Sequence, residues 1–184
     1  MPNDPSQEQT PRPPNPPLRL LYALVRGLQD GTVTTGDAAA LRRLDPAQPD
    51  RRHVLPLMRL LAGTQIDDRP DSWQRLALIA NSVALARGLH DENRPTGAAL
   101  HALGVSEQRL MALLAADFAT LTDLLPRLAR RAAAAAERMD WRPLARLAWT
   151  VERPTKEAEE EADRQRRHIA SAYLRAAARD TAVA

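Results

Sequence analysis

The segment that decides the fold is residues 72–88, SWQRLALIANSVALARG. Small and aliphatic side chains recur along it at helical spacing and form one continuous stripe. The members of this stripe are Trp73, Leu76, Ala77, Ala80, Val83 and Ala84. Gly88 suits the turn that ends a helix, and Ser72 is a good N-cap for its start. We therefore expect this segment to form the central packing helix of the protein.

The rest of the sequence has the same helical character, because Ala, Leu and Arg dominate it and aromatic residues make up only 3%. Further helices are predicted at 18–30, 36–44, 51–63, 96–103, from Ser106, from Thr122 or Asp123 with Pro126 in the first turn, from Asp140 until before Pro154, and at 157–179. Thr34 or Thr35 can cap the second of these helices, and Thr96 the short one that it begins. The sequence thus predicts an all-α fold, a single compact domain of about seven to nine helices over residues 18–180.

The N-terminal segment differs from this domain. Residues 1–17 contain seven of the fifteen prolines, set among polar residues. Proline removes backbone donors, and this composition cannot bury a core. We expect a disordered Pro-rich tail without an assigned function.

Composition excludes several classes of protein. The chain has no cysteine, which rules out disulfides, thiolate zinc sites and cysteine nucleophiles, and fits a reducing cytoplasm. No secretory signal is visible at the start, and the longest uncharged apolar run, 76–86, is far shorter than the roughly 20 residues of a membrane span. We expect a cytoplasmic protein that does not enter the membrane.

The residues needed for catalysis are also missing from the pattern. The four histidines, which are His53, His90, His101 and His168, lie in different segments without a companion at metal-ligand spacing. No glycine-rich phosphate loop occurs, and the acidic run at 157–163 is interpreted as solvated charge. We therefore predict a protein that is not an enzyme and needs no cofactor or metal.

Positive charge gathers in one part of a nearly neutral chain. The whole sequence has 26 Lys and Arg against 23 Asp and Glu, yet residues 124–151 hold six arginines against two acids. Two short stripes result at i, i+3 and i+4 spacing: one contains Arg127, Arg130 and Arg131, and the other contains Arg142 and Arg146 beside Trp149. Guanidinium groups in such rows suit a surface that follows phosphates. A solvated helix face in an Arg-rich chain has the same pattern, so the stripes alone leave both interpretations open.

A series of local motifs, in order along the chain, resembles the CasB family, the small subunit of the type I-E CRISPR complex Cascade. The motifs are LLYALVRGLQDG at 20–31, GDAAALRR at 36–43, GAALHALGVSEQRLMALLAAD at 97–117, LPRLARR at 125–131, MDWRPLARLAWTVE at 139–152 and RQRRHIASAYLR at 164–175. The Asp-Trp pair with the later Trp149 is the most specific of them. The alanine run at 132–136 is longer than the family pattern, and the Pro-rich tail departs from it.

The resemblance implies a non-catalytic helical subunit, present in two copies, that contacts the Cascade subunits CasC and CasA. It further implies that the protein holds the backbone of target DNA, especially the displaced strand, beside the guide crRNA, and so stabilises the R-loop, while base pairing reads the sequence. The positions that would contact phosphate are Arg42, Arg43, Arg109, Arg127, Arg130, Arg131, Arg142 and Arg146. Asp140, Trp141 and Trp149 are interpreted as structural.

Two other interpretations remain at this point. Residues 98–115 have the spacing of a helix-turn-helix, which would indicate a transcription regulator, although Arg109 is the only basic residue of the would-be recognition helix. The third interpretation is a purely structural helical adaptor, whose arginines pair with its own acids.

Overall fold

Nine α-helices and no strand occur among the residues that the computed structural model describes, which are 15–48, 53–62 and 70–183. The helices are α1 (Pro16–Asp30), α2 (Thr35–Arg43), α3 (Val54–Leu61), α4 (Pro70–Leu85), α5 (Thr96–Ala102), α6 (Glu107–Leu114), α7 (Phe118–Ala134), α8 (Arg142–Thr150) and α9 (Lys156–Val183). This confirms the predicted all-α class and the number of helices. The tail prediction falls largely on residues 1–14, which lie outside the described residues.

The helix α4 lies at the centre of the molecule, as its apolar stripe predicts. Helices α1, α2, α7 and α8 all pack against it. Leu76, Leu78 and Val83 are almost completely buried in the resulting core. Burial of such aliphatic side chains is the main favourable contribution to a helical fold of this kind.

The helices α1 and α4 begin earlier than the sequence predicts. The first starts at Pro16 rather than residue 18, because proline at the first helical positions lacks only a donor that has no partner there anyway. The fourth starts at Pro70, so Ser72 is a buried residue of the first turn and not the N-cap. Its hydroxyl instead accepts a hydrogen bond from Arg153 over 3.3 Å.

The predicted start of α7 at Thr122 or Asp123 is wrong. Asp117 caps this helix by accepting the amide of Thr120 over 2.7 Å, and Pro126 therefore lies inside the helix, not in its first turn. Proline in a helix interior removes a backbone hydrogen bond. The apolar face of α7, which buries Leu121 and Leu125, offsets that loss.

The predictions of Ser106 and Thr34 as helix caps are confirmed, and the prediction of Thr96 as a cap is wrong. Ser106 accepts the amide of Arg109 over 3.4 Å and so caps α6, and Thr34 rather than Thr35 caps α2. Thr96 is not a cap, because Pro95 holds that position and the Thr96 hydroxyl donates to the carbonyl of Asp140 instead. A tertiary hydrogen bond thus uses a side chain that the local sequence pattern predicts as a helix cap.

Polar residues on the buried side of α4 join it to neighbouring helices. Arg75 is 3% exposed, and its guanidinium donates to the carbonyls of Ala148 and Val151 at the end of α8, over 2.9 and 2.8 Å. Asn81 donates to carbonyls at the end of α2. Both side chains satisfy carbonyl groups that have no partner within their own helix.

The helices α5 and α9 approach each other closely at Gly97. A Cβ atom at this position would overlap the carbonyl oxygen of Ile169 and the amide nitrogen of Tyr173. Only glycine therefore allows this crossing. It brings Tyr173 near the turn after α5, where its hydroxyl donates to the Val105 carbonyl over 2.6 Å.

Candidate nucleic-acid interface

The arginines of the first stripe lie exposed along α7. Arg127, Arg130 and Arg131 are all on the solvent side of the helix. The opposite side carries the buried residues Leu121 and Leu125. None of the three arginines forms an ion pair with any acid in residues 15–48, 53–62 or 70–183.

Arg109 on α6 faces two of these arginines across a groove of about 410 Å³. The groove is lined by Arg109, Arg127 and Arg131 together with the apolar residues Leu100, Val105, Ala112, Leu113, Leu124 and Leu128. None of these nine residues is acidic. The structure thus brings three predicted site residues together from two helices, and leaves Arg130 outside the groove on the same exposed helix.

A hydrogen bond joins the two walls of the groove. The terminal amino group of Arg131 donates to the carbonyl of Gly104 over 3.3 Å. Gly104 lies in the turn between α5 and α6 and has a positive φ of 65°, which glycine adopts without strain. Because Tyr173 binds the carbonyl of Val105 and the Ser106 side chain caps α6, the chain that follows Gly104 is fixed, and Arg109 is held at a defined position at the groove.

Arg142 on α8 is engaged within the protein. Its guanidinium contacts Asp140 over 2.8 Å and Glu92 over 2.9 Å, and its backbone amide also donates to Asp140. The hydrogen bonds that the guanidinium donates to the Asp140 carboxylate raise the pKa of Arg142 above its ordinary range. Glu92 in turn accepts the hydroxyl of Tyr22, so this cluster links α8 to α1.

Arg146 also faces a carboxylate. Its guanidinium lies 3.5 Å from Glu161 on α9, and Glu161 accepts hydrogen bonds from Arg164 and Gln165 as well. The acidic run is therefore not wholly solvated charge, since one of its members ties α8 to α9. Trp149, which the sequence placed beside these arginines, stacks with Arg153 instead, at 4.0 Å from its guanidinium carbon.

Arg42 and Arg43 are exposed at the end of α2, apart from the groove. The Nε of Arg42 donates to the carbonyl of Ala84 over 3.1 Å, which holds the side chain against α4. Arg43 makes no hydrogen bond or ion pair with the part of the chain that the structure describes. The two residues form a second, smaller basic patch on the surface of the molecule.

His90 and the Asp-Trp pair serve the fold. Trp141 is 2% exposed, and its indole donates to the carbonyl of Leu89 over 2.8 Å. Its backbone amide donates to Nδ1 of His90 over 3.2 Å. Burial lowers the pKa of His90, although the carboxylates of Asp140 and Glu92 oppose the shift. No cluster of side chains suited to holding a metal is found within the described ranges.

Sequence reasoning did not find the groove. Leucines at helical spacing are expected to face the core, and Leu113 and Leu128 are buried there, with Leu124 packed against that core. All three also line the groove. Helical periodicity identifies which side of a helix is apolar. It does not show where the apolar sides of two neighbouring helices, such as α6 and α7, remain partly exposed to solvent. The signals for this site in the sequence are the charge pattern at Arg127 and Arg131 and the family resemblance, which adds Arg109.

No helix in the described parts of the chain is both long enough and apolar enough to span a bilayer. No curated protein and no solved structure matched the chain significantly. The family model described as CRISPR-associated protein Cse2 matches residues 37–174, which covers most of the sequence and all of α4 to α8. The order of motifs, the helical fold and this match agree, and the chain belongs to the Cse2 family, the CasB small subunit of type I-E Cascade.

Proposed function

We propose that the protein is a non-catalytic Cascade subunit that holds the backbone of target DNA and so stabilises the R-loop. The observation that carries this proposal is the convergence of Arg109, Arg127 and Arg131 on one groove without a carboxylate partner among the described residues. Guanidinium groups that are not paired with acids can form bidentate hydrogen bonds with phosphate oxygens. Each phosphate that they neutralise releases counterions into the solvent. Binding of this kind does not depend on sequence.

Within this proposal the predicted arginines have different roles. Arg109, Arg127, Arg130 and Arg131 form the principal contact, which we call the α7 surface, and Arg42 with Arg43 forms a secondary contact at the end of α2. We assign the other two predicted site residues, Arg142 and Arg146, to the fold, since Asp140, Glu92 and Glu161 already occupy their guanidinium groups.

The test is a charge reversal within assembled Cascade. Arg127→Glu with Arg131→Glu should shorten the lifetime of the complex on target DNA and reduce the salt dependence of its affinity by about 1.5 in log–log slope, since two phosphate contacts are lost. A matched control reverses Arg26 and Arg179, two exposed arginines on α1 and α9. Unchanged lifetime and slope in the first variant, with normal assembly by gel filtration, would contradict the proposal.

We further propose that two copies of the protein contact each other, CasC and CasA, alongside the guide crRNA. Large apolar side chains exposed on α3 support protein contacts there, namely Leu55 at 55% and Met58 at 48% exposure. Leu55→Gln with Met58→Gln should lower the number of copies retained in Cascade, as counted by native mass spectrometry. Full occupancy would place the protein contacts elsewhere.

A further inference from the structure

The groove between Arg109 and the arginines of α7 has an apolar floor, which phosphate binding does not require. Six of its nine lining residues are apolar, and four of these, Leu100, Val105, Leu113 and Leu128, are buried. Ala112 is exposed and Leu124 is only half-buried, so part of this floor faces solvent. A ligand that contacts the arginines through phosphates alone would leave the floor uncovered.

The charged rim matches the chemistry of a nucleic-acid strand. Arg127 and Arg131 are one helical turn apart, a separation of about 6 Å along α7. Arg130 lies on the same helix at a height between Arg127 and Arg131 but outside the groove, so it widens the positive charge of the exposed face. A polyanion laid against this face would thus meet arginines both inside and beside the groove, whereas a short acidic peptide seated in the groove would not use Arg130.

We propose that the groove seats one unpaired base of a single strand, while Arg127 and Arg131 hold the phosphates on either side of it. This inference rests on the proposed function of the α7 surface. Unpaired bases pack between apolar side chains in protein pockets and stack on guanidinium planes. A base within a duplex reaches such a groove only after unstacking and unpairing, so the groove selects unpaired strands over duplex.

The lining residues also indicate that the identity of the base matters little. The floor side chains Leu100, Val105, Leu113, Leu124 and Leu128 carry no hydrogen-bond donor or acceptor. The arginines at the rim donate but do not accept. The groove therefore recognises the presence of a base, through its apolar faces, and not its Watson–Crick edge.

An abasic strand tests this inference, because it keeps every phosphate and lacks the bases. The purified full-length protein is titrated with a labelled thymine oligonucleotide and with an abasic oligonucleotide of the same length, across a salt series. We expect the abasic strand to bind about tenfold more weakly, with the same salt slope. Leu124→Gln should remove most of this difference and leave the slope unchanged, and Leu174→Gln, at a leucine 56% exposed outside the groove, should retain it.

The possible outcomes separate the inference from the proposal on which it rests. Equal binding of the two strands, together with loss of both in Arg127→Gln/Arg131→Gln, would overturn the seated base and keep backbone binding. Affinities and slopes that the arginine substitutions do not change, or no binding of either strand, would contradict both. Equal binding of the two strands, with displacement of both by a Glu- and Leu-rich helical peptide that fails to bind Leu124→Gln, would assign the groove to a protein ligand instead.

Discussion

The side-chain amide of Asn81 donates a hydrogen bond to the carbonyl of Leu44 over 3.0 Å and thereby joins the middle of α4 to the residue that follows α2. The same amide lies 3.0 Å from the carbonyl of Leu41 and 3.1 Å from that of Arg42. The carbonyl of Leu41 also accepts the backbone amide of Leu44, so Asn81 is a second donor to it. One buried side chain therefore fixes the end of the helix that presents Arg42 and Arg43.

Asn81→Leu should lower the free energy of unfolding by about 2 kcal/mol, because leucine has a similar volume but leaves the carbonyls of Arg42 and Leu44 without the donor that Asn81 supplies. Urea denaturation followed by circular dichroism measures the change. Ser82→Ala is the matched control. Its hydroxyl is buried on the same helix and has no hydrogen-bond partner among the described residues, so its removal should cost little. Equal loss in both variants would contradict the role given to Asn81.

Gly97→Ala should destabilise the protein by about 3 kcal/mol, since the added methyl group meets the backbone of α9, which cannot move aside as a side chain can. The comparison is Gly36→Ala on α2, where the nearest atom to an added Cβ is the Thr34 hydroxyl at 3.8 Å. That substitution should be neutral or stabilising, because alanine is the better helix former. Thermal unfolding measures both variants, and a stable Gly97→Ala protein would show that the crossing of α5 and α9 can open.

The stability of the protein should fall as the pH is lowered from about 6.5, in part because of His90. Burial lowers the pKa of His90 below its ordinary value of 6.5, so the unfolded chain binds the proton first and is favoured as the pH drops through the folded pKa. His90→Asn keeps an acceptor for the Trp141 amide and should flatten this pH dependence. His168→Asn, at an exposed histidine, should not. Urea denaturation at pH 5 to 8 tests the difference, and parallel profiles would exclude His90 as its source.

Arg142→Gln and Arg127→Gln should change different properties: the first should lower the stability of the protein, and the second should lower the salt dependence of strand binding. The first removes the partner of the buried Asp140 and should cost about 2 kcal/mol of stability while leaving the salt slope of strand binding unchanged. The second breaks no contact between described residues and should reduce that slope by about 0.7 without altering the unfolding midpoint. Denaturation measures the stability of each variant, and titration with a strand across a salt series measures its salt slope. A reduced slope in Arg142→Gln would return this residue to the nucleic-acid contacts.

Local patterns in the sequence predicted those features whose cause is local. The Ser106 cap, the apolar stripe of α4 and the exposure of Arg127 follow from spacing within one or two turns. The start of α7 was missed because Pro126 was interpreted as a first-turn residue, whereas Asp117, nine positions earlier, is the cap. The burial of the α7 face outweighs a proline that local rules would place at the helix start.

Features that depend on distant partners could not be predicted in this way. Arg75 and Arg142 have the same appearance in the sequence as Arg127, yet the first two bind groups 73 and 50 positions away. What distinguishes a structural arginine from an available one is the position of acids and carbonyls after folding. Of the eight predicted site residues, the structure gathers Arg109, Arg127 and Arg131 at one groove, a grouping that requires α6 and α7 to be placed in space.

On the function that we propose, the bond from Arg131 to the Gly104 carbonyl makes strand binding an exchange of hydrogen bonds. A strand that takes this amino group of Arg131 must break that bond, and the freed carbonyl must find water or another donor. The affinity for the strand would then be the difference between two interactions, because the empty protein competes with its own ligand. Occupied and empty protein would differ in how the α5–α6 turn is tethered to α7, so the amide of Val105, which shares a peptide group with the Gly104 carbonyl, would be a spectroscopic reporter of binding.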